Sequence, residues 1–101
     1  MAAQPAKAAV AAEPSTTDNL ISIIIPVLND IEALKILLPN LQNDRLLGHE
    51  VLLVDGGSTD GSVLYASAFV DRVLMTGTGR GRQMNLGAEE SQNPILLFLH
   101  A

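Results

Sequence analysis

The chain contains no cysteine and very few aromatic residues, and both absences narrow what it can be. Without cysteine it forms no disulfide and carries out no thiolate chemistry, and we expect a cytoplasmic protein. Aromatic residues make up only 3% of the sequence, so any core must be built from aliphatic side chains. Hydrophobic residues nevertheless reach 48%, which is enough for the 101 residues to form one domain.

Basic residues and long apolar runs are also scarce. Six Lys and Arg stand against eleven Asp and Glu, which gives a formal net charge of −5. This balance argues against a nucleic-acid-binding or basic membrane-surface protein, because such proteins depend on clustered cations. No apolar run approaches the roughly 18 residues of a membrane span, so we expect no transmembrane segment.

The first 19 residues differ in composition from the rest of the chain. They are rich in Ala, Pro, Ser and Thr, and Pro5 and Pro14 would interrupt any helix. We therefore predict a disordered leader over residues 1–19. A short targeting peptide is disfavoured because Lys7 is the only basic residue there.

From residue 20 onward, short apolar runs alternate with amphipathic stretches. The predicted strands are 20–27, 51–54, 72–75 and 94–100, and the predicted helices are 31–41, 58–70 and 82–90. Asn29 or Asp30 can cap the first helix and Ser58 the second. The apolar runs are typical of strands buried on both faces of a parallel sheet. The alternation predicts an α/β fold with an open, mostly parallel βαβαβαβ sheet, Rossmann-like, in the order 3-2-1-4.

The predicted strand order reverses between the first and fourth strands, and a crevice opens at such a point. Four polar segments fall on this edge of the sheet: 26–30, 55–60, 76–82 and 100–101. Ligands of open α/β sheets bind in this position, outside the carboxyl ends of the strands. The sequence therefore predicts a ligand site at this edge.

Two carboxylates end neighbouring predicted strands. Asp55 follows the second strand and precedes any capping position, so helix capping does not explain it. Asp30 and Asp55 could accept hydrogen bonds from a base or a sugar, or they could form a metal pair. Nothing in the chain has recognisable metal-ligand spacing.

The glycine-rich loop at 76–82 does not fit the known nucleotide fingerprints. Gly77-x-Gly79 is followed by Arg82 where a third glycine is needed, and no P-loop sequence occurs. Arg80 and Arg82 suit a phosphate or diphosphate, or they are two solvated arginines. Asn85 is either a ligand contact or an ordinary helix-surface residue, which is the default, and His100 is either structural or a ligand contact.

Four stretches together resemble the start of a family 2 glycosyltransferase of the GT-A fold. They are 22–30 (SIIIPVLND), 54–62 (VDGGSTDGS), 79–88 (GRGRQMNLGA) and 96–101 (LLFLHA). The third and fourth are most similar to a bacterial subgroup associated with radical-SAM and selenodomain genes. The resemblance covers residues 20–101.

The resemblance implies a site for a nucleotide-diphosphate-sugar donor, and we expect a UDP-sugar. The base and ribose would lie against segment 26–30 and Asp55, and Arg82 or Arg80 would lie near the nucleotide. The implied nucleotide-binding residues are Pro26, Val27, Asn29, Asp30, Asp55, Gly57, Arg80 and Arg82. The acceptor is not implied by any residue of this chain.

The chain departs from the family pattern at three points. Many relatives have Glu where Asp30 stands and a second Asp where Gly56 stands, although the subgroup typically has Gly there. In the family, the fourth strand leads into an Asp motif that holds Mg²⁺ or Mn²⁺. In the subgroup this motif would begin at His100-Ala101 and its Asp would be the next residue, but this sequence stops at Ala101.

We therefore expect residues 20–101 to be the donor-binding half of a glycosyltransferase. This half would be inactive alone, would contain no catalytic residue or metal ligand, and would need no cofactor of its own. An apolar surface left uncovered would favour marginal stability or self-association. The alternatives are a stand-alone nucleotide-binding or regulatory module and a purely structural α/β domain.

Overall fold

The computed structural model describes residues 19–101, so the predicted leader lies outside the described residues except for Asn19. The strands are β1 (Ile21–Val27), β2 (Glu50–Asp55), β3 (Arg72–Met75) and β4 (Ile95–Phe98). The helices are α1 (Ile31–Asn40), α2 (Gln42–Leu46), α3 (Ser62–Ala66) and α4 (Arg80–Glu90). No helix within these residues is long and apolar enough to cross a membrane.

The four strands form one parallel sheet in the order β3-β2-β1-β4. The predicted fold class and strand order are both confirmed. Val27 lies opposite Asp55 in the register of β1 and β2, so these two strands end at the same level. The sheet order reverses between β1 and β4, which places the expected crevice beside the end of β1.

Alternate residues of β1 and β2 build a core on each side of the sheet. On one side the strands pack against α1 and α3, with Leu34, Leu38 and Ala66 fully buried. On the other side a smaller cluster includes Ile24 and Leu86 of α4. This alternation follows from the two-residue side-chain period of a strand.

Helix α4 lies unusually close to the sheet because Gly87 faces it. A Cβ atom at Gly87 would overlap the Cγ2 methyl of Ile24 and lie 3.2 Å from Cγ2 of Val54. Only glycine therefore allows this approach. The close packing fixes the position of the α4 N-terminus at the carboxyl edge of β1 and β2.

The prediction that β4 is buried on both faces is wrong. Ile95, Leu96, Leu97 and Phe98 are 38–44% exposed. The strand lies at the edge of the sheet and pairs only with β1, so its apolar side chains are only partly covered within the described residues. A long apolar run indicated a strand correctly but could not indicate what covers it.

The helix boundaries also differ from the predicted ones. A short helix, α2, occupies part of the predicted polar loop, where the Gln42 amide donates to the carbonyls of Leu38 and Phe69. Helix α3 has five residues instead of thirteen, and it starts four residues later than predicted because Gly61, at its N-cap, has a φ of +91°. Helix α4 begins at Arg80, two residues earlier than predicted.

Candidate functional site

A crevice of about 260 Å³ lies between the end of β1 and the loop that precedes α4. Its lining residues are Pro26, Val27, Leu28, Asp30, Thr78, Gly79, Arg80 and Gln83. Four residues of the predicted nucleotide-binding set, Pro26, Val27, Asp30 and Arg80, are therefore brought together here. The other four, Asn29, Asp55, Gly57 and Arg82, do not line it.

Asn29 joins the loops that follow β1 and β2. Its backbone N–H donates to the Ser58 hydroxyl oxygen at 2.8 Å, and its Oδ1 accepts from the Thr59 N–H at 2.7 Å. Asn29 has a φ of 54°, a left-handed conformation that asparagine tolerates. The prediction that Ser58 caps the second helix is wrong, because its hydroxyl serves this link. A ligand contact by Asn29 stays a prediction.

Asp60 ties the start of α1 to the start of α3. One carboxylate oxygen accepts from the Ile31 N–H at 3.1 Å, and the other accepts from the N–H and hydroxyl of Ser62. Asp30, one of the two predicted candidates, does occupy the N-cap position of α1, but its side chain makes no capping hydrogen bond and Asp60 supplies the acceptor. The hydrogen bond from the Ser62 hydroxyl, with smaller contributions from backbone N–H groups, lowers the pKa of Asp60.

Asp55 is fully buried and holds the turn after β2. Its Oδ2 accepts from the N–H groups of Gly57 at 2.9 Å and Ser58 at 2.8 Å. Its Oδ1 is the only buried side-chain N or O atom among residues 19–101 that has no hydrogen-bond partner. Such an atom costs about 1–3 kcal/mol, which a donor from outside these residues would offset.

Gly57 lies over the same turn and leaves space next to Asp55. It has a φ of +112°, and a Cβ atom there would meet nothing within 4 Å. The conformation requires glycine or a similarly permissive residue. Gly57 therefore shapes the turn around Asp55, and it is exposed to solvent.

Sequence analysis missed Gln83, which bridges the ends of β1 and β2. Its Nε2 donates to the carbonyls of Val27 and Val54, each at 2.9 Å, and the residue is 5% exposed. The sequence does indicate that Gln83 is buried, because it lies one helical turn before Gly87 and therefore shares the buried face of α4. A polar residue on such a face needs a specific partner.

The N-terminus of α4 concentrates positive charge. Arg80 and Arg82 lie in its first turn, where there is no acidic residue, and Gly79 provides no side chain to cap it. The N-terminal end of a helix carries a partial positive charge, so two guanidinium groups there are unfavourable unless an anion is bound. The two guanidinium groups and the N-terminus of α4 together suit the binding of phosphate oxygens.

The two arginines lie on different sides of the glycine-rich loop. Nη1 of Arg80 is 2.9 Å from Nε2 of His100, at the crevice. The Arg82 guanidinium lies over Gly77, where its Nη1 would be 2.7 Å from an added Cβ. Arg82 lines a second, open cavity of about 730 Å³, together with Thr76, Thr78, Gly79, Gly81, Asn85, Leu86 and Glu89. Asn85 is exposed, as its default interpretation predicts.

The described residues do not fit a divalent metal ion. No group of three His, Cys, Asp or Glu side chains comes together within residues 19–101. Asp55 and Asp60 already accept hydrogen bonds from backbone N–H groups, and Mg²⁺ or Ca²⁺ needs several oxygen ligands.

Most of the chain matches a known protein family. Residues 22–101 match the family described as glycosyl transferase family 2. The chain belongs to this family. The resemblance found in the sequence is confirmed at the level of the family, whereas the radical-SAM-associated subgroup remains a prediction. A comparison with curated proteins gave no match.

A solved structure supports the GT-A fold of this family 2 domain. It is glucosyl-3-phosphoglycerate synthase from Mycobacterium tuberculosis, crystallised with Mn²⁺, uridine diphosphate and phosphoglyceric acid. The TM-score is 0.59 at 26% identity, and the match covers 80% of this chain and 32% of that one. The chain thus spans about a third of the length of the enzyme that it resembles.

Proposed function

We propose that this family 2 domain binds the nucleotide-diphosphate-sugar donor of a glycosyltransferase, in which the sugar passes to an acceptor. The observation that carries the proposal is the crevice at the reversal of strand order, with Asp30 on one wall and Arg80 at the start of α4 on the other. The UDP in the similar solved structure is consistent with a UDP-sugar as the donor.

The nucleoside part of the donor is assigned to the crevice. Pro26 and Val27 offer an apolar surface, and Asp30 offers a carboxylate that makes no side-chain cap to α1. A cavity of about 260 Å³ suits a group of nucleoside size. A contact from the same ligand to Asp55 Oδ1 is part of the proposal, and because this unpaired acceptor is buried under the neighbouring turn, the contact requires that turn to move when the ligand binds.

The diphosphate is assigned to the N-terminus of α4. Arg80 and Arg82 supply guanidinium groups, and the first turn of the helix supplies backbone N–H groups and a positive partial charge. In the chemical step a diphosphate leaving group gains negative charge as the glycosidic bond breaks, and cationic groups stabilise that charge. Asn29 and Gly57 would act by shaping the loops around the ligand.

The finer predictions from the sequence belong to the same proposal. They are membership of the radical-SAM-associated subgroup, a disordered leader over residues 1–19, a donor-binding half over residues 20–101, and a cytoplasmic location. A complete enzyme would use Mg²⁺ or Mn²⁺ at the diphosphate, but the residues described here do not supply a ligand set. The alternative is a stand-alone nucleotide-binding or regulatory module without catalysis.

The arginines provide the experiment for the proposed function. Arg80→Ala and Arg82→Ala should weaken UDP by about 1.5–3 kcal/mol and leave uridine unchanged, because guanidinium pairs with phosphate oxygens. Calorimetric titration of both ligands measures this difference. Arg72→Ala is the matched control, since it removes the same charge from a residue paired with Glu90.

One outcome of this experiment would contradict the proposal: UDP and uridine lose affinity equally, so the arginines do not bind phosphate. A second result would contradict only the expectation that this domain is inactive alone: Mn²⁺ tightens UDP binding or supports sugar transfer by the 101-residue chain. The second result would require a metal site built from residues that the described structure does not group together.

A further inference from the structure

Two glutamines in this domain use their amide groups in the same way at opposite ends of the sheet. Nε2 of Gln42 donates to the carbonyls of Leu38 and Phe69, and Nε2 of Gln83 donates to those of Val27 and Val54. All four distances are 2.9 Å. Two carbonyl partners fix the orientation of each amide, because an amide oxygen in place of the nitrogen would face two acceptors.

The acceptor halves of these two amides differ. Oε1 of Gln42 accepts from the Arg45 guanidinium at 2.9 Å. Oε1 of Gln83 accepts from no described residue, although Gln83 is 5% exposed and lines the crevice. Unlike Asp55 Oδ1, this atom is not sealed from solvent. The Gln83 amide, which is held by its two hydrogen bonds to backbone carbonyls, therefore presents Oε1 to the crevice as an acceptor of fixed orientation.

The rest of the crevice wall points to the same chemistry. Thr78 donates its hydroxyl hydrogen to the Gly56 carbonyl at 2.8 Å, so its oxygen faces its surroundings as an acceptor. Asp30 adds a carboxylate, and Arg80 is the one cation among the lining residues. A wall of acceptors requires hydrogen-bond donors on the ligand, such as ribose hydroxyls or an imide N–H, and it disfavours phosphate.

We propose that Gln83 is a specificity-determining residue, whose Oε1 accepts a hydrogen bond from a donor group of the nucleoside part of the ligand. This inference rests on the proposed function, since it assigns one contact within the same site. Gly56 leaves the space that the Gln83 amide occupies, because a Cβ atom at position 56 would lie 3.0 Å from Cδ and 3.2 Å from Oε1 of Gln83. Any larger residue at position 56 would displace the amide from its two carbonyl partners.

The test compares Gln83→Met with Gln42→Met, two size-matched changes that each remove a doubly donating amide. We expect Gln83→Met to weaken uridine and UDP by about five- to tenfold and to leave inorganic diphosphate unchanged, since a neutral hydrogen bond is lost. Gln42→Met should leave all three affinities unchanged. Gly56→Ala should reproduce the Gln83→Met pattern, because it shifts the amide without removing it.

A measurement on the unmodified chain keeps the test independent of variant folding. With ¹⁵N-labelled protein, saturating uridine should shift the side-chain amide resonances of Gln83 and not those of Gln42. Unchanged Gln83 resonances in a uridine-bound chain, or equal uridine affinity of wild type and Gln83→Met, would overturn this inference alone. Absence of saturable uridine and UDP binding by the wild type would instead overturn the proposed function, and this inference with it.

Discussion

The amino and carboxyl ends of the sheet both carry polar side chains, but among residues 19–101 only the amino end gives every buried side-chain N or O atom an internal partner. There, Glu50 Oε1 accepts from the Ser22 hydroxyl at 2.7 Å and from the Gln92 N–H at 3.0 Å. The Ser22 oxygen accepts in turn from the Asn93 N–H at 3.2 Å. Nδ1 of His49 accepts from the backbone of β1 at 3.0 Å.

The carboxyl end also carries polar groups, but several of its acceptor atoms have no internal partner. Asp55 Oδ1 is buried without a partner, and Gln83 Oε1 and the Asp30 carboxylate accept from no described side chain or backbone group. Arg80 and Arg82 form no ion pair among the described residues. A polar cluster whose buried groups all have hydrogen-bond partners within the protein stabilises the fold. A cluster with oriented but unpaired acceptors is suited to binding a ligand.

Removing the Glu50 carboxylate from the amino end of the sheet should give the largest effect of the proposed substitutions. The effect should be on the free energy of unfolding and not on ligand affinity. Glu50→Ala leaves the buried Ser22 hydroxyl and the Gln92 N–H without their charged acceptor. We expect the free energy of unfolding to fall by about 2–3 kcal/mol, because hydrogen bonds to charged groups are among the stronger ones. Urea denaturation measures this loss. UDP affinity of the folded fraction should not change, and a parallel loss of affinity would contradict the separation of the two ends.

Changing Asp55 at the carboxyl end should give the opposite pattern. In Asp55→Asn the amide oxygen can still accept from Gly57 and Ser58, so the turn keeps its hydrogen bonds. The amide nitrogen then stands where the unpaired acceptor was, and it cannot accept from a ligand. We expect UDP to bind about 1.5–3 kcal/mol more weakly by calorimetry. Equal affinity, with the fold intact by circular dichroism, would remove Asp55 from the site.

Asp60 sharpens the comparison, because it belongs to the carboxyl end but is fully paired. Its pKa is lowered in the folded chain, so its contribution to stability is complete above its unfolded value of roughly 3.9. That contribution is lost as the pH falls through the lowered folded value. The difference in unfolding free energy between wild type and Asp60→Asn should therefore shrink as the pH falls below about 4. A difference that stays constant over this range would show that the charged form is not what Asp60 contributes.

The sequence predicted the carboxyl end well because strand ends and loop composition locate it. Asp30 and Arg80 were expected there from the strand order alone, and both line the crevice. Asn29 and Ser58 were both expected as candidate helix caps, and they bond to each other's loops instead. Such cross-loop contacts depend on how two loops approach, and no local pattern encodes that distance.

The amino end could not be predicted for a related reason. Ser22 and Glu50 occupy strand positions, and Gln92 and Asn93 look like ordinary loop residues. They become one network only because β1, β2 and the chain before β4 align in register. Gln83 could be predicted in part. Helical spacing indicates that it lies on a buried face of α4, but it does not indicate the two carbonyls to which the Gln83 amide donates.

The most direct test of the central claim is to map bound UDP on the ¹⁵N-labelled chain by nuclear magnetic resonance. We predict saturable shifts in the backbone amides of Leu28, Asp30 and residues 78–83, which surround the crevice. We predict no shifts at Ser22, Glu50 and Asn93, which are held in hydrogen bonds to one another and to β1. Shifts centred on the amino end, or no saturable shift at the crevice, would contradict the assignment of the ligand site to the carboxyl end of the sheet.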